Sequence, residues 1–139
     1  MREILFRGKR KDNGKWVKGG IAFQSDERVA IVGTHCETRS LYELGIEADY
    51  VIPETVGQFT GLYDKNGKKV FEGDIVKVYV RGYHTICTVS WAEIVAHFQL
   101  WQINTIPKTA TNLNLGNYDC EVIGNIHDNP ELLESEDTE

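Results

Sequence analysis

The sequence predicts a mainly β protein made of short strands joined by tight turns. Residues 75–80 (IVKVYV) are rich in β-branched side chains, and three of their valines share one face. Asn13-Gly14 and Asn66-Gly67 each supply the positive φ that short hairpin turns require. Several such strands at short spacing favour a small barrel over a doubly wound sheet.

The first third of the chain, residues 1–55, is predicted to be a β-rich N-terminal portion. Short strands at 3–7, 21–23 and 29–32 alternate with polar turns. Residues 40–45 begin with Ser-Leu-Tyr-Glu, which matches a capping box and predicts a short helix. Residues 49–55 are predicted to be extended, and Pro53 makes this segment an edge or a connector and not a central strand.

The second part, residues 56–134, is predicted to form the barrel, and residues 135–139 a flexible acidic tail. A second turn is predicted at Gly73-Asp74. The further predicted elements are strands at 85–91, 95–103 and 120–126, a long loop at 104–118, a bulge at Gly124, and one helical turn after the N-cap Asn129 and Pro130.

The overall composition is that of an ordinary water-soluble protein. The chain has 139 residues, a net charge of -6 and three cysteines, and it has no apolar run long enough for a membrane span. The short apolar run near the start is flanked by charges, which does not match a secretory signal. An odd cysteine count favours free thiols in a reducing compartment, so we expect the cytoplasm and no membrane association.

Charge is distributed unevenly along the chain, and this suggests a nucleic-acid contact as an alternative function. Residues 1–20 hold seven Lys and Arg against two acidic residues, whereas residues 119–139 hold eight acidic residues and no Lys or Arg. The net acidic charge argues against a dedicated nucleic-acid binder. The candidate contacts of the alternative are Arg7, Lys9, Arg10 and Lys11, with Phe6, Trp16 and Tyr79 available for stacking.

Motifs for catalysis, metal or cofactor binding are weak, so we expect a non-enzymatic protein without a cofactor. Residues 61–69 (GLYDKNGKK) fail the phosphate-binding loop pattern in spacing and in the final Ser or Thr. Asp74 with His84 is the best acid–base pair for a small hydrolase, although Asp74 is explained more simply as a turn residue. Asn66, Gly67, Gly73 and Asp74 are accordingly assigned structural turn roles. The possible metal ligands, none at zinc-site spacing, are His35, Cys36, Cys87, Cys120 and His127.

Four stretches of the chain resemble the YopX-like family of small bacteriophage and prophage proteins. They are MREILFRGK at the start, PETVGQFTGLYDKNG with EGDIVKV in the middle, and EVIGNIHDNPELL near the end. The resemblance implies an SH3-type small β-barrel in the second half and no established reaction or ligand. We therefore expect a non-enzymatic binding or assembly module that has a protein partner from the host and forms a homo-oligomer. Because small barrels have edge strands, Val51-Ile52 before Pro53 is predicted to be an exposed pairing segment.

Overall fold

The structure is a computed structural model that describes residues 3–33, 48–80, 82–92, 97–102, 110–114 and 119–133. These residues form two antiparallel sheets and short turns, so the mainly β prediction is confirmed. The strands are β1 (Phe6–Lys9), β2 (Trp16–Phe23), β3 (Val29–Val32), β4 (Ala48–Val51), β5 (Gly57–Tyr63), β6 (Lys69–Phe71), β7 (Asp74–Val80), β8 (Tyr83–Ala92), β9 (His97–Gln102), β10 (Ala110–Asn114) and β11 (Cys120–Asn125). Single 3₁₀ turns lie at Pro53–Thr55 and Pro130–Leu133.

The chain divides into two units, Met1–Phe59 and Thr60–Glu139. In the first unit the strands are hydrogen-bonded in the order β4-β3-β2-β1, with the first part of β5 beside β1. The hairpin predicted between residues 21–23 and 29–32 is confirmed, with Phe23 opposite Val29 and Gly20 opposite Val32.

The sheet of the first unit curls so that β4 returns to the end of β1. The Lys11 N–H donates to the Tyr50 carbonyl at 3.1 Å, and the Ile52 N–H donates to the Lys9 carbonyl at 2.8 Å. Val51 is fully buried and paired on its other side with Val29. The expectation that Val51-Ile52 forms an exposed pairing edge is therefore wrong, because both edges of β4 are occupied at this point.

One face of the curled sheet carries the hydrophobic core of the first unit. Alternation along the strands places apolar side chains on this inner face. Its buried members are Val17, Val29, Ile31 and Val51, with Phe6, Ile21 and Val56 packed against them. The inner face also holds Asp49, which is completely buried opposite Ile31.

The second unit contains a hairpin and a five-stranded sheet in the order β10-β9-β8-β7-β11. Its core consists of Val70, Val76, Val78, Cys87, Val89, Leu100 and Cys120, with Phe98 and Val122 packed against it. The predicted long loop at 104–118 is wrong in part, because Ala110–Asn114 pairs with β9 as a strand. The sequence of this strand, ATNLN, has weak strand propensity, so only its pairing reveals it.

The SH3-type barrel stays a prediction, because neither sheet closes into a barrel within the described residues. The proposed helix at 40–45 and the acidic tail at 135–139 lie outside the described residues. Among the residues that are described, no helix is both long and apolar enough to span a membrane.

Candidate functional site

The four predicted turn residues lie in two tight turns of the second unit. Gly67 has a φ of +83° and Gly73 a φ of +93°, values that favour glycine at both positions. Asp74 is almost fully buried, and its Oδ2 accepts the Phe71 N–H at 2.7 Å. Asn66 donates its own N–H to Asp64 in the other turn. These contacts assign the four residues to the framework.

Asp64 joins its turn to a strand that is distant in sequence. Its Oδ1 accepts the N–H groups of Asn66 at 2.8 Å and Lys68 at 2.9 Å. Its Oδ2 accepts the N–H of Val122 in β11 at 3.0 Å. Burial by itself raises the pKa of this carboxyl, but the three backbone donors and the Lys68 charge hold the pKa below its usual 3.8. Asp64 is therefore a structural anion.

The two described cysteines are inert core residues. Burial raises the pKa of the Cys87 thiol to about 12 and that of the Cys120 thiol to about 11. They lie on strands either side of β7, so two strand spacings of about 5 Å separate them, too far for a disulfide. Both thiols remain protonated and enclosed at neutral pH.

The proposed pair Asp74 and His84 is not brought together. Asp74 begins β7 on the core face, whereas His84 is exposed and lies opposite Tyr79 near the other end of that strand. Five residues of strand separate the two positions by about 17 Å. Within the described ranges, no three His, Cys, Asp or Glu side chains are grouped as metal ligands would be, and His35 and Cys36 lie outside those ranges.

Arg10 occupies the interior of the first unit. Its side chain is 6% exposed, and its guanidinium lies 2.7 Å from Asp12 Oδ2 and 3.7 Å from Asp49 Oδ1. The curl of the sheet encloses Arg10, and this burial counts against the predicted nucleic-acid contact at this position. Lys11, the next residue, is exposed.

Arg7 and Lys9 lie on the outer face of β1 and approach one aromatic ring. Arg7 is paired with Lys18 and Lys9 with Trp16, so all four share one face, which we call the basic face. The Arg7 guanidinium lies 4.7 Å and the Lys9 ammonium 5.7 Å from the Trp16 ring centre. Cations at these distances are attracted to the ring. Phe6, by contrast, faces the core.

A patch that the sequence analysis did not identify lies where the inner face of the curled sheet reaches solvent. Phe23 is 74% exposed and Ile4 is 60% exposed. Phe23 follows Ile21 on the inner face of β2, and Ile4 lies two residues before Phe6, the inward-facing residue that begins β1. We call Ile4, Ile21 and Phe23 the apolar rim. The alternation of residues 17, 19, 21 and 23 was the signal that could have revealed it.

Comparison with known proteins places this architecture in a family. The family model described as YopX protein matches residues 5–134. A crystal structure of protein EF1440 from Enterococcus faecalis matches with a TM-score of 0.54 and 21% identity, covering 96% of this chain and 100% of that chain. No curated protein matches. A likeness at that identity concerns the fold alone, whereas the family model spans almost the whole chain. The chain belongs to the YopX family.

Proposed function

We propose that this chain is a non-catalytic binding module that engages a protein partner through the apolar rim. The family resemblance suggests that it is encoded by a phage or prophage and acts in the host cytoplasm. The observation that carries the proposal is the exposure of Phe23, at the end of the inner face of β2, and of Ile4, just before β1. Large apolar side chains that share an exposed surface are typical of protein interaction sites.

The polar groups that could do chemistry support a non-catalytic role. Asp64 and Asp74 accept backbone N–H groups, and Arg10 is enclosed beside Asp49. A general acid or base needs a proton that it can exchange with a substrate in a cleft. Carboxylates that already accept hydrogen bonds from neighbouring backbone N–H groups are poorly suited to exchange a proton with a substrate.

The surroundings of the rim indicate the chemistry of the partner. Ile21 is packed against the core and fixes the position of the rim, while Phe23 projects at the start of the β2–β3 hairpin tip. Asp26 and Arg28 in this tip form an ion pair of 2.6 Å. An apolar centre beside charged groups fits a partner surface that presents an apolar side chain within a polar margin.

Affinity capture from host cells with a matched pair of variants tests this proposal. The rim variant carries Ile4→Ser and Phe23→Ser. The control variant carries Leu62→Ser and Tyr63→Ser, which remove two other exposed large side chains, both from β5. We expect a protein that both wild type and control recover and that the rim variant does not. Equal recovery by the rim variant would contradict the proposal.

Nucleic-acid binding is a second candidate, which the basic face favours. Arg7, Lys9 and Lys18 share this face with Trp16, and Lys18 is exposed. Cations around an aromatic ring suit a single strand, in which phosphates and unstacked bases are both accessible. Two observations weaken this candidate. Arg10 is buried beside Asp49, and the chain has a net charge of -6.

Fluorescence anisotropy with labelled single-stranded DNA and RNA at two salt concentrations tests the second candidate. Nucleic-acid binding predicts a saturable signal and an affinity that falls at higher salt. The double variant Lys9→Gln, Lys18→Gln should show a smaller fall of affinity with salt, because it has fewer cations for phosphate. Lys68→Gln, Lys69→Gln removes the same charge from the second unit and serves as control. Equal losses in the two variants would indicate non-specific attraction.

The resemblance also suggests that the second unit forms an SH3-type small barrel. The five-stranded sheet and the β5–β6 hairpin supply strands for such an arrangement. Backbone NMR contacts between the strands of the second unit test it. Closure of the sheet by hydrogen bonds to β10 would support the barrel, and an open β10 edge would contradict it.

A further inference from the structure

β11 forms one end of the five-stranded sheet in the order given for the described strands. The Tyr79 N–H donates to the Asp119 carbonyl at 3.0 Å, and Glu121 lies opposite Lys77. Because hydrogen-bonded positions alternate along an antiparallel pair, the backbone groups of Cys120 and Val122 point away from β7. Such outward groups are where another strand can add to a sheet.

The turn of the β5–β6 hairpin occupies those outward groups. The Lys65 N–H donates to the Cys120 carbonyl at 2.9 Å, and the Val122 N–H donates to Asp64 Oδ2 at 3.0 Å. One donor and one acceptor of the edge are thus satisfied by two consecutive residues. This is the hydrogen-bonding that a paired strand would provide.

We infer that the outward edge of β11 is a strand-pairing surface for a second copy of this chain, and that the Asp64–Gly67 turn keeps it closed. The inference is independent of the proposed function, since it concerns neither the apolar rim nor the basic face. The turn acts as an intramolecular block on edge-to-edge association.

The geometry of the edge selects a second copy as the occupant. Two β11 strands placed antiparallel, with Cys120 of each opposite Val122 of the other, would form hydrogen bonds from each Val122 N–H to the opposite Cys120 carbonyl. These are the same two groups that the turn now satisfies. The arrangement is two-fold symmetric, as expected of a contact between identical chains.

The charge of Glu121 opposes this pairing, so neutralising Glu121 distinguishes pairing through β11 from association through another surface. In the register described, Glu121 of one copy faces Glu121 of the other, and like charges directly opposite each other destabilise a sheet. In the closed molecule Glu121 accepts a 3.2 Å hydrogen bond from the Tyr79 hydroxyl. Pairing through β11 therefore strengthens when Glu121 is neutralised, whereas association through another surface does not depend on it.

Asp64→Ala opens the edge, because it removes the acceptor of the Val122 N–H and of two N–H groups within the turn. Asp74→Ala is the matched control, since it removes another buried carboxylate that accepts a backbone N–H elsewhere in the unit. Circular dichroism establishes that each variant is folded. Sedimentation velocity across a concentration series then measures association, and amide hydrogen exchange at Val122 locates it.

A second variant leaves Asp64 intact in case Asp64→Ala does not fold. Lys65→Pro removes the N–H that donates to Cys120, and proline is favoured at the second position of such a turn. Lys65→Ala keeps this N–H and is its control. We expect concentration-dependent association of Lys65→Pro beyond that of Lys65→Ala; equal association of the two would overturn the inference.

For folded Asp64→Ala, we expect Val122 exchange to slow by about tenfold from the lowest to the highest concentration, as mass action populates the pair. Addition of Glu121→Gln should shift this change to lower concentration. Val122 exchange in wild type and in Asp74→Ala should not depend on concentration. The inference is overturned if Val122 in Asp64→Ala exchanges rapidly at every concentration, or if Glu121→Gln leaves the association unchanged.

Discussion

Arg10 and Asp49 form an ion pair inside the curled sheet, with Arg10 Nε 3.7 Å from Asp49 Oδ1 and both side chains almost fully enclosed. Arg10 follows β1, and Asp49 lies in β4, so the pair joins the two strands that meet when the sheet curls. Arg10, which the sequence places in a basic N-terminal segment, is therefore buried in the interior of the first unit.

Arg10→Ala should lower the free energy of unfolding by about 3–5 kcal/mol, because it leaves Asp49 buried without its cation. Urea unfolding at neutral pH measures the loss. Lys11→Ala, at the exposed neighbouring position, should change stability by less than about 0.5 kcal/mol. A loss below about 1 kcal/mol in Arg10→Ala would show that the pair is not enclosed as described.

Gly67→Val should destabilise the protein by about 1–2 kcal/mol through backbone strain. The φ of Gly67 is +83°, and a Cβ built there meets no atom within 4 Å, so the cost arises from conformation and not from a clash. Gly20→Ala is the control: its Cβ would lie 3.7 Å from the Val32 carbonyl oxygen, an ordinary contact. Equal thermal stability of Gly67→Val and wild type would contradict the turn geometry.

Gly124→Ala should disrupt the loop that follows β11. A Cβ at Gly124 would lie 2.5 Å from Asn129 Oδ1, the atom that accepts the Asn125 N–H at 3.1 Å. We expect a loss of about 1–3 kcal/mol, the usual cost of an unmade buried hydrogen bond. Because Asn129→Ala removes the obstructing atom, the double variant should be less destabilised than the sum of the single variants. Additive losses in thermal unfolding would contradict this close approach.

The Asp64 carboxylate should make stability fall in acid. Its pKa is lower in the folded chain than the usual 3.8, so its stabilisation is present above that value and is lost as pH falls through the folded pKa. Wild type should exceed Asp64→Asn by about 1–3 kcal/mol at pH 7, and the difference should shrink as pH falls toward 3. Urea unfolding of both proteins across this range measures it. A difference that does not change with pH would mean that the carboxylate is not the stabilising form.

Local chemistry made part of this structure predictable. The turns at Asn66-Gly67 and Gly73-Asp74 follow from positive φ and from short-range carboxylate bonding, and the bulge at Gly124 appears as a register shift in β11. These features depend on residues a few positions apart. The pattern of β-branched residues likewise predicts the strands that form both cores.

Features that depend on distant strands were not predictable. The enclosure of Arg10 requires β4 to return to β1, and the bond from Val122 to Asp64 joins residues 58 positions apart. Strand β10 lacks any periodic apolar signal, and only β9 makes it a strand. The apolar rim combines Phe23 at the end of β2 with Ile4 just before β1, and the exposure of both depends on how the strands assemble, because neither residue is unusual alone.

Amide hydrogen exchange on the complex with the captured partner tests the central claim most directly. If the apolar rim is the binding surface, exchange should slow at residues 21–29, which contain the β2–β3 hairpin tip, and the rim variant should abolish this protection. The Leu62→Ser, Tyr63→Ser control should retain it. Protection confined to residues 60–133, with none near Phe23, would contradict the account.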